Sequence, residues 1–169
     1  MKYLGLMLIF ISSVACGYSY VRMRDEHISE LGSVCMMLEN MQRELESRLT
    51  PLPDLFKQLS VNMTGAAATF MEELLFEMKD LGSRNFCSLW NESIEKALKN
   101  LEEQEIHELE LLGEVLGRYG IDRQLQAIQN CLNVLGKALE CSVEVYPQRK
   151  KLAFGLSLSA GALLAIVLV

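Results

Sequence analysis

Metal chemistry is the first possibility to test, because His107 opens the run HELEL at 107–111. A zinc hydrolase of that type needs His-Glu-x-x-His, which puts a second imidazole one helical turn on, and position 111 is Leu111. The Glu-x-x-His spacing of carboxylate-bridged di-iron bundles also fails, because Gln104 stands three residues before His107. His27 has no ligand-type residue at a convincing spacing. His107 therefore reads as a surface residue pairing with Glu103 one turn back, and no metal or other cofactor is expected.

Nucleophilic chemistry has no better support. There is no G-x-S-x-G, and none of Cys16, Cys35, Cys87, Cys131 and Cys141 sits in an evidently electropositive setting that would favour a thiolate. The cysteines are odd in number, scattered and without a C-x-x-C. Cys35, Cys131 and to a lesser degree Cys87 fall on apolar positions, as small hydrophobes do in a reducing compartment.

Glycine-rich loops can cradle phosphate, and GEVLGRYGIDRQLQ at 113–126 packs Gly113, Gly117 and Gly120 into eight residues. A P-loop would need G-x-x-x-x-G-K-[ST], and a dinucleotide loop would need G-x-G-x-x-G after a strand; neither is present. The stretch reads instead as a joint between helices. Gly113 and Gly117, four apart, share a helix face and admit a neighbouring helix. Gly120 suits a positive φ beyond the helix end, and Asp122 caps the next helix. The run Glu102, Glu103, Glu105, Glu108 and Glu110 falls between apolar positions and reads for the most part as a solvated helix face, the alternative being an acidic docking face for a basic partner.

The elements that carry these residues follow from periodicity. Apolar residues three and four apart mark helices over about 25–49, 51–61, 64–81, 88–101, 103–117 and from about 122 onward, the last able to continue through Pro147. Thr50 suits an N-cap, and Pro51 a first helical position. With no alternating strand pattern, the fold class is all-α: an antiparallel bundle of about six helices.

The chain of 169 residues is 50% hydrophobic, and much of that content lies in two uncharged ends, 3–21 and 152–169. A bilayer-crossing helix needs about 20 apolar residues. Three parts are therefore expected: an N-terminal transmembrane helix (1–21), a cytoplasmic helical domain (22–151) and a C-terminal transmembrane helix (152–169). Arg22 and Arg24 follow the first span, and Arg149, Lys150 and Lys151 precede the second, which orients the middle segment inward. Of 16 basic residues only Lys2 lies outside 22–151, so 22 acidic side chains there face the remaining 15 basic ones. Such a balance argues against a nucleic-acid partner, and no small-molecule substrate is indicated. The alternatives are a membrane-bound metal-dependent hydrolase using the acidic run, and a secreted lipoprotein anchored through Cys16, where SVAC faintly resembles a lipobox with Ser13 in place of the usual aliphatic residue.

TPLPDLFKQLS at 50–60, Trp90 with SIEKAL at 93–98, LLGEVLG at 111–117, and Asp122 with Gln126 as D-x-x-x-Q, in this order between two apolar ends, resemble the stage III sporulation protein AB family. RYGI makes a longer joint than that family's pattern suggests. The resemblance implies a non-enzymatic platform component of the channel complex joining mother cell and forespore. It implies a place in the mother cell's outer forespore membrane, with the central domain facing the mother-cell cytoplasm. It also implies a fold similar to the cytoplasmic domain of the type II secretion platform protein. The implied partners are the stage III sporulation protein AA ATPase and other membrane proteins of the complex. Glu110, Glu114, Arg118 and Asp122, polar and flanking the glycine joint, are the candidate docking residues.

Overall fold

The computed structural model describes residues 2–48, 52–80, 82 and 84–168, with side chains chiefly over 18–47, 52–79 and 84–144. Six α-helices follow one another: α1 (Lys2–Arg48), α2 (Leu52–Asn62), α3 (Ala66–Glu77), α4 (Phe86–Ala97), α5 (Glu103–Val115) and α6 (Ile121–Leu168), with a 3-10 turn at Met78–Asp80 after α3. Among the described residues there is no strand, and the fold class is all-α. The six stripes of the middle segment correspond to these six helices, but α1 and α6 run without a break into the apolar ends, and Pro147 lies inside α6. Among the described residues no helix is long and apolar enough to cross a membrane; most side chains of 3–21 and 152–169 lie outside them. Thr50 and Pro51, expected as a cap and a first helical position, and Leu81, the last residue of the expected 64–81 helix, also lie outside the described residues.

The chain divides into two compact units, Met1–Ile28 with Cys141–Val169, and Ser29–Glu140. In the first, Arg22 donates to Glu26 one turn on at 2.8 Å, His27 is buried, and Tyr18, Tyr20 and Met23 are exposed.

The second unit has a continuous apolar core. α1 contributes Leu31, Val34, Cys35, Leu38, Met41 and Leu45, the 3–4 spacing that a single buried helix face requires. Leu55, Phe56 and Leu59 enter from α2, Ala67, Phe70, Met71 and Leu74 from α3, and Ile128, Cys131 and Leu135 from α6. At its centre Trp90 is fully buried among aromatic rings: edge-on to Phe70 at 4.9 Å between centroids, with Phe86 at 5.8 Å and Phe56 at 6.3 Å. Burying an indole requires a partner for its N–H, and Nε1 donates to the Leu109 carbonyl of α5 at 2.8 Å.

Local chemistry sets the helix ends. α4 begins at Phe86, two residues before the position expected from its apolar stripe, because the Asn85 side chain accepts the Ser88 backbone N–H at 2.7 Å and caps the helix. At the start of α5, Glu105 reaches back to accept the Glu102 backbone N–H at 2.8 Å, the returning arm of a capping box. Most of the acidic run reads as a solvated helix face, and Glu105 is its buried exception: a carboxylate bonded to a helix N-terminus tolerates burial that a free one would not.

Two polar groups tie distant parts of this unit together. Buried Glu30 on α1 accepts the Asn100 backbone N–H at 3.1 Å and the Asn100 side-chain N–H at 2.8 Å, joining α1 to the α4–α5 connection. Glu77, at the end of α3, accepts from Lys96 at 2.6 Å and Arg84 at 3.3 Å. The same two cations also engage Glu92, at 2.9 Å and 2.5 Å respectively.

Candidate functional site: the α5–α6 joint

The joint that carries the candidate docking residues is built by backbone conformation at one residue. α5 ends at Val115, Leu116 turns extended, and Gly117 takes φ +74°, a left-handed conformation that L side chains rarely adopt. The N–H groups of Arg118 and Tyr119 both bond the Val115 carbonyl at 3.3 Å, which closes the helix end. The expectation of a positive φ at Gly120 is therefore corrected: the reversal comes at Gly117, and Gly120 does not have positive φ. Gly120 acts instead as the N-cap of α6, its carbonyl accepting the N–H groups of Arg123 and Gln124, each at 3.1 Å. Asp122 accordingly lies inside the first turn of α6 and not at the cap, placed to favour the positive end of the helix. Gln124 secures the turn, its side-chain N–H donating to the Tyr119 carbonyl at 2.7 Å.

Gly113 and Gly117 do not share a helix face, since the helix stops between them. Gly113 alone makes the close approach. A Cβ there would fall 2.3 Å from Cδ1 of Trp90, whereas one on Gly117 would meet its nearest atom, of Leu52, at 3.5 Å.

Glu114, Arg118 and Asp122 are exposed, and Glu110 is half-buried. Three of them act on the thiol of Cys87, at the start of α4. Burial pushes the Cys87 thiol up, Glu114 and Glu110 push it the same way, and Arg118 opposes them. Glu110 also borders an open polar groove between α4 and α5 that includes Asn91, Lys96, Lys99 and Ile106. His107 is exposed, and its nearest carboxylate is Glu110 at 3.9 Å; the expected pairing with Glu103 is not the one formed. Among the described residues no three metal-ligating side chains stand together. Cys35, Cys87, Cys131 and Cys141 are free thiols.

Sequence reasoning passed over Tyr119 and Arg123. Tyr119 is 40% exposed at the tip of the joint, and the guanidinium groups of Arg118 and Arg123 stand over its ring at 5.8 and 5.0 Å. The available signal was an aromatic residue inside a turn with arginines one before and four after it, a combination enriched at protein interfaces.

The fold and this joint define a class: a small all-helical domain whose first and last helices are long, with a polar turn between its last two helices. The sequence model of the family described as Stage III sporulation protein AB matches residues 2–169, and the chain belongs to that family. Its role accordingly lies in sporulation. The fold is similar to a solved structure titled Stage III sporulation protein AB, with a TM-score of 0.62 and 21% identity over 72% of this chain and 97% of the other. No curated protein sequence matches the chain.

Proposed function

We propose that the protein is a non-enzymatic platform component of the channel complex between mother cell and forespore, anchored in the mother cell's outer forespore membrane by apolar spans at 3–21 and 152–169. The segment between them faces the mother-cell cytoplasm and docks the stage III sporulation protein AA ATPase, other membrane proteins of the complex being further partners. Any nucleotide hydrolysis belongs to the ATPase. The observation that carries the docking assignment is the turn itself, closed on the Val115 carbonyl and braced by Gln124, beside which Glu114, Arg118 and Asp122 are exposed and Glu110 is half-buried. Charged side chains held on rigid elements give partner selectivity more readily than charges on a mobile loop. The positive flanks Arg22, Arg24, Arg149, Lys150 and Lys151 support the orientation.

The test is co-purification of the detergent-solubilised full-length chain with the purified ATPase. Co-elution is expected, and the double charge reversal Glu110→Lys, Glu114→Lys is expected to weaken it at least tenfold while leaving the thermal midpoint unchanged. Undiminished co-elution of the reversed protein would reject this docking patch, and no co-elution of the wild type would reject the ATPase as partner. External protease that cleaves the 22–151 segment in intact cells would overturn the orientation.

A further inference from the structure

Beside the joint, the first turns of α6, with Tyr119 of the turn and Val115 at the end of α5, border a shallow groove of about 290 Å³ that also includes Arg123, Gln126, Ala127 and Asn130. Val115 and Ala127 are its aliphatic members, and exposed aliphatic side chains continue from them away from the turn. Leu111 lies one turn before Val115 on the same face of α5, and Val134 lies seven residues after Ala127 on the same face of α6; each is 44% exposed. At its joint end the groove changes character, because Arg118 and Arg123 stand over the exposed Tyr119 ring. Among the described residues no carboxylate pairs with either arginine. This holds in a segment where acidic side chains outnumber basic ones, and with exposed Asp122 and Glu114 nearby in sequence.

We propose that this groove binds an amphipathic helical segment of a partner protein, its aliphatic face along Val115 and Ala127 and its carboxylates on Arg118 and Arg123. The charge order of the groove selects that occupant. Two planar guanidinium forks each suit a carboxylate in two-point contact, Tyr119 is a large surface with little entropy to lose on binding, and the apolar track recurs at the spacing that receives a helix. The positive end of the α6 dipole, capped at Gly120, adds to the attraction for negative charge at the same end of the groove. The proposal takes the joint to be the docking region, as above, but does not depend on the ATPase being the partner. It places the contact on Arg118, Tyr119 and Arg123, with Glu110 and Glu114 outside it.

The test uses the detergent-solubilised full-length chain and a fluorescently labelled synthetic amphipathic helix of leucine and glutamate, compared with the same peptide carrying lysine at every glutamate position. Anisotropy titration is expected to show saturable binding of the glutamate peptide and at least tenfold weaker binding of the lysine peptide. The double variant Arg118→Glu, Arg123→Glu is expected to invert that preference, and Tyr119→Ala to weaken the glutamate peptide severalfold; unchanged thermal midpoints would verify that both variants are folded. Equal affinity of wild type and double variant for the glutamate peptide would overturn the proposal. So would a wild-type dimer in sedimentation that the double variant abolishes, since the groove would then be filled by a second copy. Binding to phosphatidylserine vesicles, dependent on the two arginines, in place of the peptide would overturn it in favour of a lipid headgroup. Because the peptide replaces the ATPase, failure here and failure of co-purification are separate results.

Discussion

Trp90 and Gly113 are locked together from two sides: the indole N–H is bonded to α5 at the Leu109 carbonyl, and the ring lies where a β-carbon on residue 113 would be, 2.3 Å from Cδ1. The ring is not a flexible tip that can swing aside, because Phe56, Phe70 and Phe86 enclose it. Gly113→Ala therefore has to separate α4 from α5 or break the indole hydrogen bond. Overpacking of this kind typically costs about 1–3 kcal/mol, and loss of a buried hydrogen bond adds about 1 kcal/mol. Urea denaturation of the full chain in detergent is expected to show a loss in that combined range for Gly113→Ala. At Gly117, where φ is +74° and space is adequate, Ala is expected to cost about 1–2 kcal/mol from backbone strain alone. Gly120→Ala is expected to be close to neutral, since φ is not positive and nothing lies within 4 Å of the added carbon. Equal losses at Gly117 and Gly120 would contradict the placement of the turn.

The Glu30–Asn100 contact gives a second prediction. Glu30→Gln keeps one acceptor oxygen for one Asn100 donor but turns an NH2 group toward the other, so a buried polar group is left unsatisfied. A loss of about 1–3 kcal/mol is expected. In a double-mutant cycle with Asn100→Ala the two losses are expected to be non-additive by roughly 0.5–3 kcal/mol, the range for groups in one hydrogen-bond network. Additive losses would show that the two residues are not coupled.

The helices were legible in the sequence because each buries one stripe at 3–4 spacing; Leu31, Leu38, Met41 and Leu45 all occupy the core positions their spacing demands. What escaped were polar groups whose role depends on a partner remote in sequence or on one dihedral angle. Glu30 and Asn100 are 70 residues apart, a separation no local pattern reports. Glu105 looks like any other carboxylate of an acidic run until the start of α5 is known to within one residue. Three glycines in eight residues announce a joint, yet which of them reverses the chain is fixed by where α5 stops, and helix ends are the least certain feature of a periodic pattern. Tyr119 and Arg123 were visible as residue types, but their stacking exists only once the turn has brought residues 118–123 around one ring.

The ion cluster at the α3–α4 corner gives a pH dependence of definite sign. Lys96 first, and then Arg84, hold the Glu92 carboxyl below its ordinary value, and Glu77 with Glu92 raises the Lys96 ammonium above its own. A depressed carboxyl contributes stability that is present above its unfolded value and is lost as pH falls through the folded one. The raised lysine contributes stability that is present below its unfolded value near 10.5 and is lost as pH rises through the folded one. Between these limits the cluster's contribution is flat. Thermal midpoints measured from pH 7 down to pH 3 are expected to fall less steeply in Glu92→Gln than in the wild type, with the curves converging at the acid end. Parallel curves would remove Glu92 from the acid response.

Thiol reactivity provides the last prediction, and it reports on burial in the same unit without any substitution. The thiolate is the species that reacts with alkylating agents. Desolvation on burial, with smaller contributions from Glu39 and Glu105, pushes Cys35 up to about 11. Burial, with smaller contributions from Glu108 and Cys35, pushes Cys131 up to about 12, and the Cys131 thiol also bonds the Glu108 carbonyl at 3.7 Å. Both are closed to reagent in the folded chain. Cys141 is exposed and Cys87 half-buried, its own thiol raised as well. Among these four thiols, iodoacetamide at pH 8, followed by peptide mass spectrometry, is expected to label Cys141 fastest, Cys87 more slowly, and Cys35 and Cys131 only after denaturant is added. Labelling of Cys131 at the rate of Cys141 in the native protein would mean that the seam between α5 and α6 opens in solution, and the groove beside it would then lack the rigid walls its helix-binding role requires.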